Sequence, residues 1–206
     1  AGQVAGNSAY YVGGTYQGGR AFLWSGGVMT NLGSLGTDAS GYGFSNAYTL
    51  NAAGQVAGNS AYYVGGTYQG NRAFLWSGGV MKNLGTLGGD NSSANALNDS
   101  GQVVGSSDGH AFLSNAGTIF DLNALAPAGL TFQQASAINA WAQVAGCSSL
   151  SQSSFGVCIS GDMTPPTYFR TGCPRVLMRA ACGMARWSIH TITFCSAGCP
   201  GVAPSG

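Results

Sequence analysis

The sequence predicts an all-β fold built from tandem four-stranded antiparallel repeats that resemble propeller blades. Glycine supplies 35 of the 206 residues, more than twice the roughly 7% of average proteins, and charged residues are only 6%. The chain contains no glutamate, although glutamate and lysine usually form the solvated faces of helices. Its many Gly, Ser, Thr, Asn and Tyr residues instead favour short strands joined by tight turns.

A near-perfect internal duplication is the second observation behind this prediction. Residues 1–36 and 53–88 align without gaps. They differ at three positions: Gly19/Asn71, Thr30/Lys82 and Ser34/Thr86. Four unit starts are separated by 52, 47 and 41 residues: Gly2, Gly54, Gly101 and Ala142. Periods of about 40–50 residues are the size of a four-stranded blade, so we expect units at about 1–52, 53–100 and 101–141.

Three units and part of a fourth are fewer than the roughly 4–8 blades of a closed propeller. The predicted architecture is therefore a partial β-propeller, with a stacked β-solenoid as the alternative. A partial ring leaves open sheet edges, which invite pairing with another chain. The sequence has no initiator Met and its first residues already belong to a repeat motif. The chain is therefore interpreted as a fragment or a processed product.

Each unit is predicted to contain four strands. In the first unit, strands one to three start at Gln3, Ala21 and Val28, and the fourth strand ends at Asn51. The turn Asn-Ala-Ala-Gly at 51–54 should fold strand four of one unit back on strand one of the next. Its fourth occurrence has Ala142 in place of glycine. Because alanine is strained in a left-handed conformation, we expect that turn to be different or damaged.

The motifs resemble a known family once they are placed in order. Gly-Gln-Val-Val-Gly at 101–105, followed by Gly-His-Ala-Phe-Leu at 109–113, is similar to the HAF repeat, which is named for His-Ala-Phe. The run Asn-Leu-Gly-Thr-Leu-Gly-Gly at 83–89 resembles its second signature, and the motifs between 121 and 139 resemble its closing repeat. The resemblance covers roughly 1–146. It implies a blade-like fold and an extracellular or cell-surface location, although the chain shows no signal peptide, and it implies no established activity.

The composition changes abruptly in the segment 147–206. All six cysteines lie there, as do four of the seven basic residues. Within it, Ser154–Ile159 is interpreted as a degraded second strand of a last unit. Four alternatives stay open for the segment as a whole: a secreted disulfide module, a shifted reading frame, a disordered tail, and a zinc site that uses Cys195 and Cys199.

The chemistry-bearing residues predict no catalytic site, no metal site and no cofactor. His110 occupies a slot that is Arg20 or Arg72 in the other units, which favours a structural or solvent-facing role. A calcium loop around Asp90, Asn91 and Asp99 is an alternative, and Asp38 and Asp90 are predicted to form turns. The formal net charge of +1 argues against a nucleic-acid partner, and no apolar run is long enough for a membrane span.

A tyrosine-rich insertion is the feature that suggests a function. The first two units carry nine more residues between strands one and two than the third unit does, and the insertion covers 9–16 and 61–68. Tyrosine in glycine-flanked loops presents rigid aromatic area with a polar tip, which is common in binding surfaces. The alternative is that the insertion only lengthens a hairpin. The predicted ligand-binding residues are Tyr10, Tyr11, Tyr16, Tyr62, Tyr63 and Tyr68.

Three functions are compatible with the sequence. The first is a non-catalytic secreted scaffold that binds a carbohydrate or a surface protein through these loops. The second is a fragment of a β-propeller hydrolase whose catalytic blades are absent from this chain. The third is a broken gene without a selected function. We do not expect the chain itself to be an enzyme.

Overall fold

The computed structural model describes residues 2–126, 128–150, 153–159, 175–179 and 188–193, with side chains described for 2–126 and 128–147. The described part is all-β and antiparallel, with a single short 3-10 turn at Leu122–Leu125. This confirms the predicted fold class at the level of repeated antiparallel sheets. The described sheets do not form a closed barrel or a closed propeller.

The described strands form four successive sheets and a separate hairpin. Sheet 1 contains β1 (Gln3–Val12), β2 (Thr15–Ser25) and β3 (Val28–Asn31). Sheet 2 contains β4 (Ser45–Leu50), β5 (Val56–Val64), β6 (Thr67–Ser77) and β7 (Val80–Asn83). Sheet 3 contains β8 (Ser92–Leu97), β9 (Val103–Ser107), β10 (His110–Asn115) and β11 (Thr118–Asp121). Sheet 4 contains β12 (Leu130–Ile138), β13 (Val144–Leu150) and β14 (Ser153–Ile159), and the hairpin contains β15 (Arg175–Arg179) and β16 (Ser188–Thr193).

The sheets are offset from the sequence repeat by one strand, as the turn chemistry predicts. The last strand of each unit crosses to the next sheet and pairs with its first repeat strand, so β4 pairs with β5 and β8 pairs with β9. The strands β4 and β8 contact each other, β4 also contacts β1, and β8 also contacts β12. Each sheet therefore contacts the next one in the chain, and the first strands of the two sheets lie at that contact.

Among the residues whose side chains are described, the core consists of three apolar clusters that lie between neighbouring sheets. The cluster between sheets 1 and 2 is built around Val56 and Phe74, and the cluster between sheets 2 and 3 is built around Val103 and Phe112. The third cluster lies between sheets 3 and 4 and includes Phe132. No unit buries its apolar side chains alone, which is the arrangement expected of stacked repeats.

The second glycine of the Gly-Gln-Val-x-Gly motif is required where the crossing strand passes. A Cβ at Gly58 would lie 1.9 Å from the carbonyl oxygen of Asn46, and a Cβ at Gly105 would lie 1.9 Å from that of Ser93. The pairing register shifts at both places. Glycine at these bulges lets the backbones approach more closely than any other residue allows.

The asparagine turns are the same in all three places where the structure describes them. Asn51, Asn98 and Asn139 each accept two backbone N–H groups on the side-chain oxygen and donate to the glutamine four residues later. Asn51 and Asn98 also donate to the backbone oxygen of the next turn asparagine, at 3.0 Å in both cases. The three turns therefore form a ladder of hydrogen bonds across sheets 2 to 4.

The expectation that the Ala142 turn is different or damaged is wrong. Ala142 donates its N–H to the Asn139 carbonyl at 3.0 Å, as Gly54 and Gly101 do in their own turns. It adopts a left-handed φ of 58°, close to the 77° of Gly101. The asparagine hydrogen bonds impose the turn, and the alanine carries the strain.

Replacing Ala142 by glycine is expected to stabilise the protein. Relief of the left-handed strain should raise the free energy of unfolding by up to about 1 kcal/mol, reduced by the extra backbone entropy of glycine. The mirror replacement, Gly101→Ala, should lower it by a similar amount. Urea unfolding followed by circular dichroism measures both. A loss of stability in Ala142→Gly would contradict the strain at this turn.

The cysteine-rich segment 147–206 is only partly described. β14 confirms a strand over the residues interpreted as a degraded second strand. Cys147 is exposed, whereas Cys173, Cys182, Cys195 and Cys199 lie outside the described residues. The disulfide module, the shifted frame, the disordered tail and the zinc site therefore stay predictions.

Candidate binding surface

The tyrosine-rich insertions are strands rather than loops. They lengthen the hairpins β1–β2 and β5–β6 beyond the predicted strand ends, so that only Gly13–Gly14 and Gly65–Gly66 remain in the turns. All four glycines have positive φ angles, which suits two-residue hairpins. The interpretation of these residues as binding loops is therefore wrong in its geometry, and the alternative, that the insertion lengthens a hairpin, is confirmed.

Within each hairpin two tyrosines form a cross-strand pair. Tyr11 lies opposite Tyr16 with ring centroids 5.4 Å apart, and Tyr63 lies opposite Tyr68 with centroids 5.5 Å apart. Such tilted pairs are favourable aromatic contacts that hold both rings in place. Tyr11 is 59% exposed and Tyr16 is 49% exposed, so aromatic area faces solvent although the rings are ordered by packing.

A further tyrosine, which the repeat pattern does not single out, completes this surface. Tyr42 lies in the connection between β3 and β4, and its ring is 6.2 Å from that of Tyr16. Tyr42 also influences the pKa of Tyr63. Burial raises this pKa most, and the negative charge of Asp38 and the nearby Tyr42 raise it further. We define the tyrosine surface as Tyr11, Tyr16, Tyr42, Tyr63 and Tyr68. The signal in the sequence is length, because this connection has five more residues from Gly33 to Ser45 than its counterpart from Gly85 to Ser92.

The long connection is fixed against both hairpins. Asp38 accepts hydrogen bonds from the Ser40 hydroxyl at 2.7 Å and from the backbone N–H groups of Ser40 and Tyr42. These hydrogen bonds hold the pKa of Asp38 below its usual range, and the bond from the Ser40 hydroxyl contributes most to this shift. Gly36 packs against Tyr63, where a Cβ would lie 3.1 Å from that of the tyrosine. The predicted role of Asp38 as a turn-forming residue is confirmed.

Two arginines pack against tyrosine rings of the two hairpins. The Arg20 guanidinium lies 5.0 Å from the centre of the Tyr10 ring, and that of Arg72 lies 5.4 Å from the centre of the Tyr62 ring. These are cation–π distances. Tyr10 and Tyr62 are half-buried, so these two predicted ligand-binding residues position the surface more than they form it.

Arg20 is buried to an unusual extent for a charged residue. Only 6% of it is exposed, and it donates to the carbonyl oxygens of Gln17, at 2.8 Å, and of Gly43. Burial lowers the pKa of Arg20, although the neighbouring tyrosines oppose the shift. A concavity of ≈ 450 Å³ opens beside Arg20 and Tyr10, and the residues Ser34, Thr37 and Ser40 form part of its wall. Polar groups and aromatic faces therefore meet at one side of the first hairpin.

The third unit has no such surface. Its short hairpin places His110, which is half exposed, 3.1 Å from Asp121. Burial would raise the pKa of Asp121, but hydrogen bonds from Asn123 and His110 hold it below its usual range. Among residues 2–126 and 128–147, this is the only contact at ion-pair distance between a carboxylate and a basic side chain. The geometry agrees with the solvent-facing role predicted for His110.

The described residues assemble no metal-binding group of three or more His, Cys, Asp or Glu side chains. Two residues of the alternative calcium loop form hydrogen bonds with different parts of the chain. Asn91 accepts from the backbone of Asn71, and Asp99 accepts from the backbone of Ala52. In the same part of the chain, no helix is long and apolar enough to cross a membrane.

Comparisons with family models, with curated proteins and with solved structures find no match for this chain. The resemblance to HAF repeats therefore stays a prediction from the motifs alone.

Proposed function

We propose that the chain is a non-catalytic β-repeat scaffold that binds carbohydrate through the tyrosine surface. The observation that carries the proposal is the exposure of ordered tyrosine rings at the ends of two adjacent hairpins. Aromatic rings of this kind stack on the apolar faces of sugar rings, while their hydroxyl groups hydrogen-bond to sugar hydroxyls. The surface carries little charge, which suits a neutral glycan better than a nucleic acid or an acidic partner.

The proposal extends to architecture and location. The first strands of sheets 1 to 4 contact each other in chain order, and this arrangement favours the blades of a propeller-like array over a stacked solenoid. The motif resemblance to HAF repeats supports an extracellular or cell-surface location. The hydrolase alternative places its catalytic blades outside this chain, so it stays a separate prediction.

The first test is a glycan array probed with the labelled protein, followed by titration of any glycan bound. In the variant Tyr16→Ala we expect affinity to fall at least tenfold, because Tyr16 contacts both Tyr11 and Tyr42. The conservative variant Tyr16→Phe keeps the ring and should stay within a few-fold of the native affinity. Truncation of a central aromatic residue commonly costs about 2 kcal/mol or more in binding interfaces.

Tyr48 provides the matched control. It is also exposed, at 56%, but it lies on β4, outside the two hairpin ends. Tyr48→Ala should bind like the native protein. Binding that persists in a variant with Tyr11, Tyr16, Tyr63 and Tyr68 all changed to alanine would refute the tyrosine surface. Binding of a protein partner but of no glycan would refute the carbohydrate assignment while keeping the surface.

A further inference from the structure

The edge strand of sheet 1 has the same sequence as a strand that is central in sheet 2. β1 and β5 share the nine residues Val-Ala-Gly-Asn-Ser-Ala-Tyr-Tyr-Val, at 4–12 and at 56–64. Among the described residues β1 pairs with β2 alone, whereas β5 pairs with both β4 and β6. One sequence therefore has a free edge in sheet 1 and an occupied edge in sheet 2.

The burial of identical residues differs accordingly. Val56 is completely buried, but its counterpart Val4 is 52% exposed. Ser60 is also completely buried, while its counterpart Ser8 is exposed. The repeat sequence thus places an apolar valine and a small polar side chain where the first sheet leaves them facing water. We call residues Val4–Ser8 the acceptor edge.

The structure of sheet 2 shows what covers this sequence. β4 pairs along it from Ser45 opposite Ser60 to Leu50 opposite Val56. The Ser60 hydroxyl donates to the Phe44 carbonyl at 2.9 Å and accepts the Leu35 N–H at 2.9 Å. The cover is therefore an extended strand together with the preceding Leu-Gly segment, and both come from the unit before.

Sheet 1 has a cavity at the position that this leucine would occupy. A hollow of ≈ 150 Å³ is lined by Ser8, Tyr10, Phe22 and Met29 among others. Leu35 bridges to Tyr62, bonds to Ser60 and packs against the cluster that contains Phe74, and Met81 packs against the same cluster. These four residues of sheet 2 are the repeat counterparts of those that line the cavity.

Gly6 gives an independent indication. Its counterpart Gly58 must be glycine because the Asn46 carbonyl passes 1.9 Å from where a Cβ would be. At Gly6 a Cβ would meet only the Phe22 ring, at 3.1 Å. The acceptor edge thus retains the bulge glycine that a crossing strand needs. It also carries no charged residue or proline, which are the usual devices that block edge pairing.

We propose that the acceptor edge binds an extended segment with the repeat's own Leu-Gly and Ser-Asn-Ala-x-x-Leu-Asn pattern. The segment adds to sheet 1 as a fourth antiparallel strand, with its Ser-Asn-Ala opposite Ser8, Asn7 and Gly6. Its leucine near the start fills the cavity beside Phe22. Backbone hydrogen bonds supply affinity in this mode, and the leucine pocket and the bulge glycine supply specificity.

The test uses the full chain and a synthetic peptide with the sequence of residues 33–51. Hydrogen exchange measured by mass spectrometry should show at least tenfold slower exchange in the segment 3–9 on saturation with the peptide. Exchange in β5, whose edge is already occupied, should not change. A peptide with the changes Leu35→Asp and Leu50→Asp should bind at least tenfold more weakly.

A variant of the protein gives a second, independent readout. Gly6→Val should abolish peptide binding, since its side chain would meet the backbone of the incoming strand. Gly2→Val, which lies in open space just before the acceptor edge, should bind normally, and circular dichroism checks that both variants fold. The proposal is overturned if the peptide gives no protection, if the aspartate peptide protects equally, or if Gly6→Val binds as well as Gly2→Val. Self-association through β1 that the peptide does not compete with would overturn it too.

Discussion

Phe74→Ala is expected to lower the free energy of unfolding by about 3–5 kcal/mol, which is the usual cost of removing a buried phenylalanine. Phe74 is completely buried between sheets 1 and 2, in the cluster that includes Val56 and Leu23. Its removal leaves a cavity that β-sheet backbones on both sides cannot close, because bulges and turns fix them. The loss should appear as a lower urea midpoint with little change in the slope.

Phe22 is the matched control, because it occupies the same position in the duplicated sequence. It is only half-buried, since sheet 1 has no described sheet before it. We expect Phe22→Ala to cost about half as much as Phe74→Ala or less. Equal losses in the two variants would contradict an open face on sheet 1, and would also count against the acceptor edge.

Asn98→Ala is expected to cost about 3 kcal/mol, which is large for a residue in a turn. The Asn98 side chain accepts from the N–H groups of Ser100 and Gln102, and it donates to the Gln102 side chain and the Asn139 carbonyl. The residue is 5% exposed, so the groups it leaves behind have poor access to water. Each buried polar group without a partner costs roughly 1–3 kcal/mol.

Asn98→Asp separates the hydrogen-bond explanation from a simple loss of packing. The introduced carboxylate has nearly the same shape, but it faces two oxygen atoms that formerly accepted hydrogen bonds. The N–H groups of Ser100 and Gln102 still favour the charged carboxylate, but burial and the two facing oxygen atoms outweigh them. Its pKa in the folded state should therefore lie above its unfolded value, so the variant should regain stability as the pH falls through the folded pKa. Urea unfolding at several pH values, each compared with the native protein, measures this. A difference that does not change with pH would contradict the role of the Asn98 amide.

Asn7→Ala serves as the control for both asparagine variants. Asn7 is exposed on β1, and a surface change of this kind usually stays within about 0.5 kcal/mol. A large loss in Asn7→Ala would show that asparagine replacements destabilise this protein for a reason other than the ladder of turns.

Local chemistry made much of the fold predictable. The Asn-x-x-Gly-Gln-Val signature fixes the turn and sends one strand of each unit to the next sheet, because the asparagine side chain bonds its own turn and the glycine takes a positive φ. Even the exception at Ala142 follows the same pattern, since the hydrogen bonds of Asn139 outweigh the strain of one alanine. The lengths of β1 and β2 were underestimated, because a tyrosine-rich insertion can extend a strand or form a loop and the sequence alone does not distinguish them.

The sequence by itself determined the repeat, the antiparallel strands, the offset pairing and the candidate tyrosines. These depend on neighbours within a few residues and on a period that can be counted. Only the tertiary structure decided that Tyr42 joins Tyr16, that Arg20 is buried beneath Tyr10, and that Val4 is exposed while the identical Val56 is buried. Each of these depends on which surfaces meet in three dimensions, and identical sequences differ in burial as soon as one of them lacks a neighbouring sheet.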